Sequence, residues 1–536
     1  MQARRRALAA WLCLIIGFGT VAGQLGRLAM LGQTTATLTP IRSIEASLSR
    51  PDIVDRAGRL LATDVSAPSI FADPSAVLDL DETVEALAGA LPGLDAKKLR
   101  RDLSDRNRQF VWVRRGVHPD DARIVHQLGL PGVYQRDELL RVYPAADLTG
   151  QILGFTDVDN RGQAGIERTI DQRGLSGPPG QRADTQPAPV ALSIDLAVQL
   201  GLRDVLKEAM AGYEATGAAG IVLDARTGEV VAQLSLPDYA AGDAKAALDP
   251  ARSDRIASGT YELGSVFKTL TLAMALDAGT ATPEKQYDAT RPLTIGRFEI
   301  DDLHAQHRWL TAEEVLLYSS NIGAARIALE LGEDGQRRFL KRLGLLDPVT
   351  TELGSSPPPQ VPKTWSKAST MTISFGHGLA VTPLQFAAAV ASIVNGGRRV
   401  VPSYLSAARP QGERVLMRQE TAGETLRLLR TNVVDRRGTG SRAAVVGYEV
   451  AGKTGTADIA GRGGYGRSGV LSSFLAVFPA SAPRYVTYVM LFEPKATEAS
   501  HGQRTAGMNA SPTTARLIER IAPLLGLAPA STPGRS

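Results

Sequence analysis

The apolar positions of the chain form one long run near the N-terminus and many short, interrupted runs after it. The long run extends from Ala7 to Gly23, directly after three arginines, and a weaker apolar stretch continues it to Leu31. This length reaches the lower limit of about 17 residues for crossing a bilayer, and the positive-inside rule keeps the arginines cytoplasmic. The pattern predicts a cytoplasmic stub over residues 1–6, a transmembrane anchor over residues 7–31 and an exported remainder. A cleaved signal peptide is the alternative, which the lack of a small-residue cleavage site disfavours.

Two intervals rich in proline and glycine divide the rest of the chain. Leu175 to Val190 predicts a domain boundary, whereas Gly354 to Trp365 predicts a surface loop. We therefore expect a pedestal domain over residues 32–185, a larger domain over residues 190–527 and a flexible tail over residues 528–536.

Strand signals occur on both sides of this boundary. Alternating segments at Asp52–Ala62 and Gln109–Arg114 predict an irregular pedestal that contains β-strands. Beyond the boundary, Asp195 opens an amphipathic helix, Gly220 to Leu234 predicts two strands around a tight turn, and Tyr485 to Phe492 predicts a further strand. The larger domain is thus predicted to be α+β, with an antiparallel sheet flanked by helices.

Composition and charge exclude several functional classes. The 536 residues carry a net charge of +5 without a long basic run, so the sequence gives no electrostatic indication of nucleic-acid binding. The single cysteine, Cys13, excludes an intrachain disulfide and a zinc site of paired thiolates. The six histidines are scattered and no phosphate-cradling loop is present, so we expect neither a metal nor a cofactor.

Ser265 and Lys268 lie three residues apart at the start of an apolar segment that ends at Gly279. The segment predicts a buried helix on which the two side chains share one face. A serine at a helix N-terminus lies where a developing negative charge is stabilised, and a lysine of lowered pKa can take its proton. The pair suggests a nucleophile with its base, although this spacing alone also arises by chance.

Ser319 and Asn321 flank Ser320 between two predicted helices, the second of which runs from Ile322 to Gly332. A hydroxyl and an amide on such a turn can project into one cleft. A plain polar helix cap is the alternative for this segment.

Lys453, Thr454, Gly455 and Thr456 follow Tyr448–Gly452, a short alternating segment that predicts a strand. Glycine at this point lets a substrate lie against the edge of a sheet, while lysine and threonine supply a cation and hydroxyls for a carboxylate. An ordinary turn at the end of a strand is the alternative. The three motifs together, in this order, arise by chance in roughly a few such chains per thousand.

In this order, the motifs resemble those of the serine D,D-transpeptidases called penicillin-binding proteins and of their β-lactamase relatives. Arg50–Ala62, Arg141–Gly180 and Thr260–Lys268 extend the resemblance over nearly the whole chain. With the predicted anchor they resemble a class B penicillin-binding protein, and Arg504–Gly526 is most similar to the division-specific, FtsI-type members. The implied fold is the α+β transpeptidase fold shared with serine β-lactamases, preceded by a pedestal of the penicillin-binding protein dimerisation type and one transmembrane helix.

The resemblance implies a peptidoglycan D,D-transpeptidase that works through an acyl-enzyme. Ser265 would attack the carbonyl between the two D-alanines of a stem peptide, with Lys268 as base. An amine of a neighbouring stem peptide would then take the acyl group. Ser319 would relay the proton to the leaving amine, and Asn321 would orient the amide of the donor peptide.

The third motif is implied to bind the donor peptide. Lys453 would keep Lys268 neutral through its electrostatic field, and Thr454, Gly455 and Thr456 would hold the donor and its carboxylate. The backbone N–H groups of Ser265 and Thr456 would form the oxyanion hole. β-Lactam antibiotics would inhibit by acylating the same serine.

Other functions fit the same motifs and stay open. They are an elongation-type transpeptidase, a D,D-carboxypeptidase and a non-catalytic scaffold or sensor that only binds β-lactams. A β-lactamase is disfavoured because the chain lacks the glutamate pattern of the class A enzymes. The resemblance further implies a single-pass inner-membrane protein with a periplasmic catalytic domain, whose partners are a membrane glycan polymerase and other division proteins.

Overall fold

The computed structural model of the chain describes residues 11, 17–24, 49–177, 187–296, 298–406, 415–459 and 469–530. These residues divide into two compact units. The smaller unit contains Pro68–Glu138, and the larger contains residues 50–67, 139–177 and those described from 187 to 530.

Little of the predicted anchor belongs to the described part of the chain. Residues 17–24 are helical and exposed. No helix among the described residues is both long enough and apolar enough to cross a membrane. The predicted stub, most of the predicted anchor and residues 531–536 of the predicted tail lie outside the described residues.

The smaller unit combines helices with strands around its own apolar core. Its helices are α1 (Leu80–Ala90), α2 (Ala96–Leu103) and α3 (Pro119–Gln127). Four strands lie between residues 53 and 142: β1 (Ile53–Val54), β2 (Leu60–Ala72), β3 (Val111–Arg114) and β4 (Val133–Val142). Strand β3 belongs wholly to the smaller unit, β1 belongs wholly to the larger one, and β2 and β4 each have residues in both. The end of β2 pairs antiparallel with β3, so Ile70 and Val111 join Val84 and Leu87 of α1 in one core. Strands are thus confirmed in the predicted pedestal region, and the smaller unit has three helices among its described residues.

A fully antiparallel five-stranded sheet forms the centre of the larger unit, as predicted. The strands from β5 onward are β5 (Val190–Ala191), β6 (Gly217–Asp224), β7 (Val230–Leu236), β8 (Gln286–Asp288), β9 (Leu293–Ile295), β10 (Phe298–Ile300), β11 (Trp309–Thr311), β12 (Thr350–Thr351), β13 (Gly354–Ser355), β14 (Ala451–Asp458), β15 (Val470–Phe478) and β16 (Tyr485–Phe492). The order in the central sheet is β14-β15-β16-β6-β7, which leaves β14 at one edge. Strand β16 has the predicted bounds.

The described part of the larger unit contains twelve α-helices, and several of them contact this sheet. The twelve are α4 (Ala146–Leu153), α5 (Gly165–Gln172), α6 (Leu196–Gly212), α7 (Ala244–Ala247), α8 (Lys268–Ala278), α9 (Ala312–Leu317), α10 (Asn321–Leu331), α11 (Glu333–Arg342), α12 (Lys367–Ile373), α13 (Pro383–Val394), α14 (Gln419–Val434) and α15 (Ala510–Ile521). Asp195 caps α6, as predicted, because its carboxylate accepts from the backbone N–H of Ala197 at 2.9 Å, and the helix ends at Gly212. Gly279 closes α8 in the left-handed conformation, also as predicted.

One predicted strand is wrong in its position. The strand expected at Tyr448–Gly452 begins only at Ala451 and continues through the whole Lys453–Thr456 motif as β14. Residues 451–455 are all buried, so the strand has no alternation of apolar and polar positions to reveal its limits. The motif therefore lies on an edge strand rather than after one.

A buried ionic network ties the N-terminal part of the larger unit together. The Arg50 guanidinium donates to Glu167 at 2.8 Å and to Asp171 at 2.7 Å. Arg141 donates to the other oxygen of Glu167 at 2.7 Å and to Asp64 at 3.1 Å. Because Arg50 and Glu167 are fully excluded from solvent, each charge depends on its partners for stabilisation.

Candidate active site

Ser265 lies on a short 3₁₀ turn, Gly264–Phe267, that leads directly into α8. Gly264 has φ +63°, and a Cβ at this residue would lie 2.5 Å from the carbonyl oxygen of Thr456. The Gly264 N–H donates to the carbonyl of Gly376 at 3.2 Å. A Cβ added to Gly376 would lie only 2.2 Å from the carbonyl oxygen of Gly264. Two glycines thus let the serine turn fit between β14 and the loop at residue 376.

Lys268 is the first residue of α8, one turn after Ser265, and is 2% exposed. Its Nζ lies 2.8 Å from Ser265 Oγ and 2.7 Å from Asn321 Oδ1. It also donates to the carbonyl of Ser319 at 2.8 Å. The amine therefore contacts the hydroxyl that it would deprotonate, and the first two motifs meet at its nitrogen.

The turn between α9 and α10 carries the second motif. Ser319 has φ +61°, a left-handed conformation, and Ser320 caps α10 through the backbone N–H of Gly323. The Asp302 carboxylate accepts from the Ser320 hydroxyl at 2.6 Å and from the Ile322 N–H at 3.0 Å. The predicted polar cap is therefore present at Ser320, while Ser319 and Asn321 remain directed toward Lys268.

Lys453 reaches the same centre from β14 and is fully buried. Its Nζ lies 3.0 Å from Ser319 Oγ, 3.1 Å from Thr454 Oγ1 and 3.3 Å from Thr439 Oγ1. The Thr454 hydroxyl donates to Thr439 Oγ1 at 2.9 Å. Ser319 consequently links the two lysines, because its hydroxyl also lies 3.2 Å from Lys268 Nζ.

Burial determines the protonation of both lysines. It lowers the pKa of Lys268 to about 7, and the negative charge of Asp302 opposes part of that shift. It also lowers the pKa of Lys453 well below its usual value, and a charge on Lys268 would lower it further. Desolvation therefore works against a charge on either amine, and a proton on one opposes a proton on the other.

A cavity of about 590 Å³ opens in front of these groups. Ser265, Ser319, Asn321, Thr454 and Thr456 line it. Gly455 lies between the two threonines, where an added Cβ would meet Ser473 Oγ at 2.5 Å. The structure therefore brings all eight predicted site residues to one region, six at or beside the cavity surface and two as the buried lysines behind it.

Sequence reasoning missed three contributors. Asp302 was not among the predicted site residues, yet it holds the turn at Ser320. Thr439 gave no signal in the sequence, although its hydroxyl contacts both Lys453 and Thr454. His377, also not among the predicted site residues, lines the cavity with its Nδ1 2.8 Å from Glu262, and the hydrogen bond to that carboxylate raises the pKa of His377.

Comparison with known proteins agrees with this arrangement. Residues 218–517 match the penicillin-binding protein transpeptidase domain, and residues 45–187 match the penicillin-binding protein dimerisation domain. A Caulobacter vibrioides protein named "Probable peptidoglycan D,D-transpeptidase FtsI" is 39% identical over 494 residues, which cover 89% of this chain and 82% of the relative. The Escherichia coli K12 protein named "Peptidoglycan D,D-transpeptidase FtsI" is 32% identical over 517 residues, covering 90% and 86%.

The fold also has counterparts among solved structures. A peptidoglycan synthetase from Bifidobacterium adolescentis superposes with a TM-score of 0.68 at 23% identity, covering 92% of this chain and 98% of that one. The matched domains span most of the chain, and the serine, the two lysines and the Ser-x-Asn turn meet at one cavity within the larger match. The chain belongs to the penicillin-binding protein transpeptidase family.

Proposed function

We propose that the chain is a peptidoglycan D,D-transpeptidase that crosslinks stem peptides through an acyl-enzyme on Ser265 during septal cell-wall synthesis. One observation carries the proposal: the buried Lys268 amine lies 2.8 Å from Ser265 Oγ, and burial lowers its pKa to about 7. A neutral amine at this distance can accept the hydroxyl proton as the serine attacks a carbonyl. The family membership and the names of the relatives supply the substrate class.

Acylation follows from the contacts around Ser265. Its oxygen forms a bond to the carbonyl carbon between the two D-alanines of a donor stem peptide, and its proton passes to Lys268. The Ser265 and Thr456 N–H groups would stabilise the resulting oxyanion, because the serine turn lies against the Thr456 backbone. The C–N bond to the terminal D-alanine then breaks.

Ser319 would supply the leaving amine with its proton. Its hydroxyl contacts both lysines, at 3.2 Å and 3.0 Å, so a proton taken by Lys268 can pass through it to the departing nitrogen. The products of this half-reaction are free D-alanine and an ester on Ser265. An acceptor amine reverses the path, because its nitrogen bonds to the acyl carbon, its proton returns through the same groups and the serine leaves.

The donor carboxylate would decide which lysine carries charge. Thr454 and Thr456 offer hydroxyls at the cavity surface, and Lys453 lies 3.1 Å behind the Thr454 hydroxyl. A carboxylate bound there favours a proton on Lys453, and that charge disfavours one on Lys268. Substrate binding would thereby leave Lys268 neutral, the form that acts as base.

The direct test supplies purified full-length protein in detergent with uncrosslinked glycan strands that carry pentapeptides. We expect released D-alanine together with crosslinked peptide dimers, and neither product from a Ser265→Ala variant. Release of D-alanine without dimers would instead identify a D,D-carboxypeptidase. Acylation by penicillin without turnover of any stem peptide would identify a binding scaffold or sensor.

The septal role and the membrane location are supported by the FtsI names of the relatives and by the apolar N-terminal run. We propose a single-pass inner-membrane protein with its catalytic domain in the periplasm, which works with a membrane glycan polymerase and other division proteins. Depletion of the protein tests the septal role. Filaments with unfinished septa would support division, whereas rounded cells would assign the enzyme to elongation.

A further inference from the structure

Arg442 lines the cavity in front of Ser265 without a partner of opposite charge. Among the described residues it is the one arginine or lysine on the cavity surface, since Lys268 and Lys453 lie buried behind it. No carboxylate in the described part of the chain lies within ion-pair distance of its guanidinium. The side chain is exposed, so the guanidinium is available to a ligand that enters the cavity.

The segment that carries Arg442 is anchored by Thr439. Arg442 belongs to the 3₁₀ turn Ser441–Ala443, three residues after Thr439. The Thr439 N–H donates to the carbonyl of Leu317 at 3.3 Å, and its hydroxyl contacts Asn432, Lys453 and Thr454. Arg442 thus projects from the end of the segment whose threonine joins the hydroxyl cluster at Thr454.

A second set of ionisable groups near the cavity is centred on His377. His377 contacts Glu262 at 2.8 Å, and the negative charge of Asp458 also raises the pKa of His377. These three groups accompany the loop at Gly376, next to the serine turn. Negative charge therefore lies near His377, whereas the guanidinium of Arg442 lies on the segment that follows Thr439.

A substrate carboxylate needs a cation that stays charged when the cavity loses water. Burial lowers the pKa of both Lys268 and Lys453, so neither amine supplies a permanent positive charge. A guanidinium keeps its proton at any physiological pH and can bind a carboxylate with two parallel hydrogen bonds. Of the groups at this end of the cavity, Arg442 alone has that property.

We propose that Arg442 binds the C-terminal carboxylate of the donor peptide, and the equivalent carboxylate of β-lactams, together with the hydroxyls of Thr454 and Thr456. This role rests on the proposed function. It makes Arg442 a determinant of specificity for substrates that carry a carboxylate beside the reacting carbonyl.

The test compares benzylpenicillin with its methyl ester as acylating agents of the full-length protein. The variant Arg442→Gln removes the charge, Arg442→Lys retains it, and Arg436→Gln is the matched control, because Arg436 is an exposed arginine that does not line the cavity. We expect Arg442→Gln to slow acylation by benzylpenicillin about tenfold or more while the rate with the ester stays within about twofold. Arg442→Lys should recover most of the lost rate, and Arg436→Gln should match the wild type with both compounds.

Two results would overturn the role of Arg442. One is an unchanged preference for benzylpenicillin over its ester in Arg442→Gln. The other is an equal loss with both compounds in Arg442→Gln together with an equal loss in Arg442→Lys, because a charge-dependent site must prefer the free carboxylate when the charge is retained. A wild-type protein that neither compound acylates would instead overturn the proposed function.

Discussion

Lys268 and Lys453 approach one hydroxyl from two sides, since Ser319 Oγ lies 3.2 Å from the first amine and 3.0 Å from the second. Lys268 belongs to the first turn of α8, whereas Lys453 belongs to the edge strand β14. Two buried amines at these distances cannot both carry a proton without a large cost, because each has lost its water and faces a like charge. Their titrations are therefore coupled, and the lowered pKa of Lys268 underlies the first two predictions.

Acylation should depend on pH through Lys268. Because burial lowers the pKa of this amine to about 7, it is neutral and basic above that pH and protonated below it. We predict that the second-order rate of acylation by benzylpenicillin falls as the pH drops below about 7. The rate can be measured by stopped-flow acylation of the full-length protein between about pH 5 and 9, a range that brackets the pKa of Lys268. A rate that stays constant across this interval would exclude Lys268 as the base.

In the Asp302→Asn variant, the fall of the acylation rate at acidic pH should begin at a lower pH than in the wild type. The Asp302 carboxylate favours the charged form of Lys268, so its removal lowers the pKa of the amine further. Asparagine keeps an oxygen that can accept from the backbone N–H of Ile322, so the turn at Ser320 is retained. Asp301→Asn is the matched control, since Asp301 is exposed and its carboxylate accepts only from the adjacent Asp302 N–H among the described hydrogen bonds. The effect assigned to Asp302 would be contradicted if the fall in rate began at a higher pH, or if it shifted equally in both variants.

Gly376→Ala should impair acylation through geometry alone. An added Cβ would lie 2.2 Å from the Gly264 carbonyl oxygen, so the serine turn must shift. We predict a loss of about tenfold or more in the acylation rate, since small displacements of reacting groups cost that much. Gly279→Ala is the control, because Gly279 also has a positive φ, +72°, but has nothing within 4 Å of the added Cβ. It should cost only about 1–2 kcal/mol of stability. Equal acylation rates in the two variants would show that the approach of Gly376 to Gly264 is unimportant.

Glu167→Gln should destabilise the fold without altering the reacting groups. Glu167 accepts from both Arg50 and Arg141, and all three side chains are almost fully buried. Removal of the charge leaves two guanidiniums short of their partner, which costs about 3–5 kcal/mol. Urea unfolding followed by circular dichroism measures the loss. Glu330→Gln, at the exposed ion pair with Lys285, should cost less than about 1 kcal/mol, and a comparable loss in both variants would contradict the importance of burial.

Local signals were sufficient for much of the fold. Asp195 and Gly279 mark the ends of their helices through backbone capping, which depends on neighbouring residues only. The strand at Tyr485–Phe492 is evident from its β-branched and aromatic residues. Ser265 and Lys268 meet because a spacing of three residues brings side chains to one face of a helical turn, so this pair could also be predicted from the sequence.

The remaining features depend on contacts that are remote in the sequence. Asp302 contacts Ser320 and Thr439 contacts Lys453 only after the helices have packed, and no local pattern marks either residue. The start of β14 was missed because burial on both faces removes the alternation that identifies a strand. The lowered pKa values of the two lysines likewise require burial, which the sequence does not display.

Covalent labelling of Ser265 is the most direct measurement of the proposed chemistry. Full-length protein in detergent would be incubated with benzylpenicillin, and its intact mass and proteolytic peptides would be determined by mass spectrometry. We predict the addition of one benzylpenicillin per chain, located on Ser265, and no addition to Ser265→Ala protein that melts at the wild-type temperature. Acylation of another residue, or undiminished acylation of the Ser265→Ala protein, would contradict the assignment of Ser265 as the nucleophile.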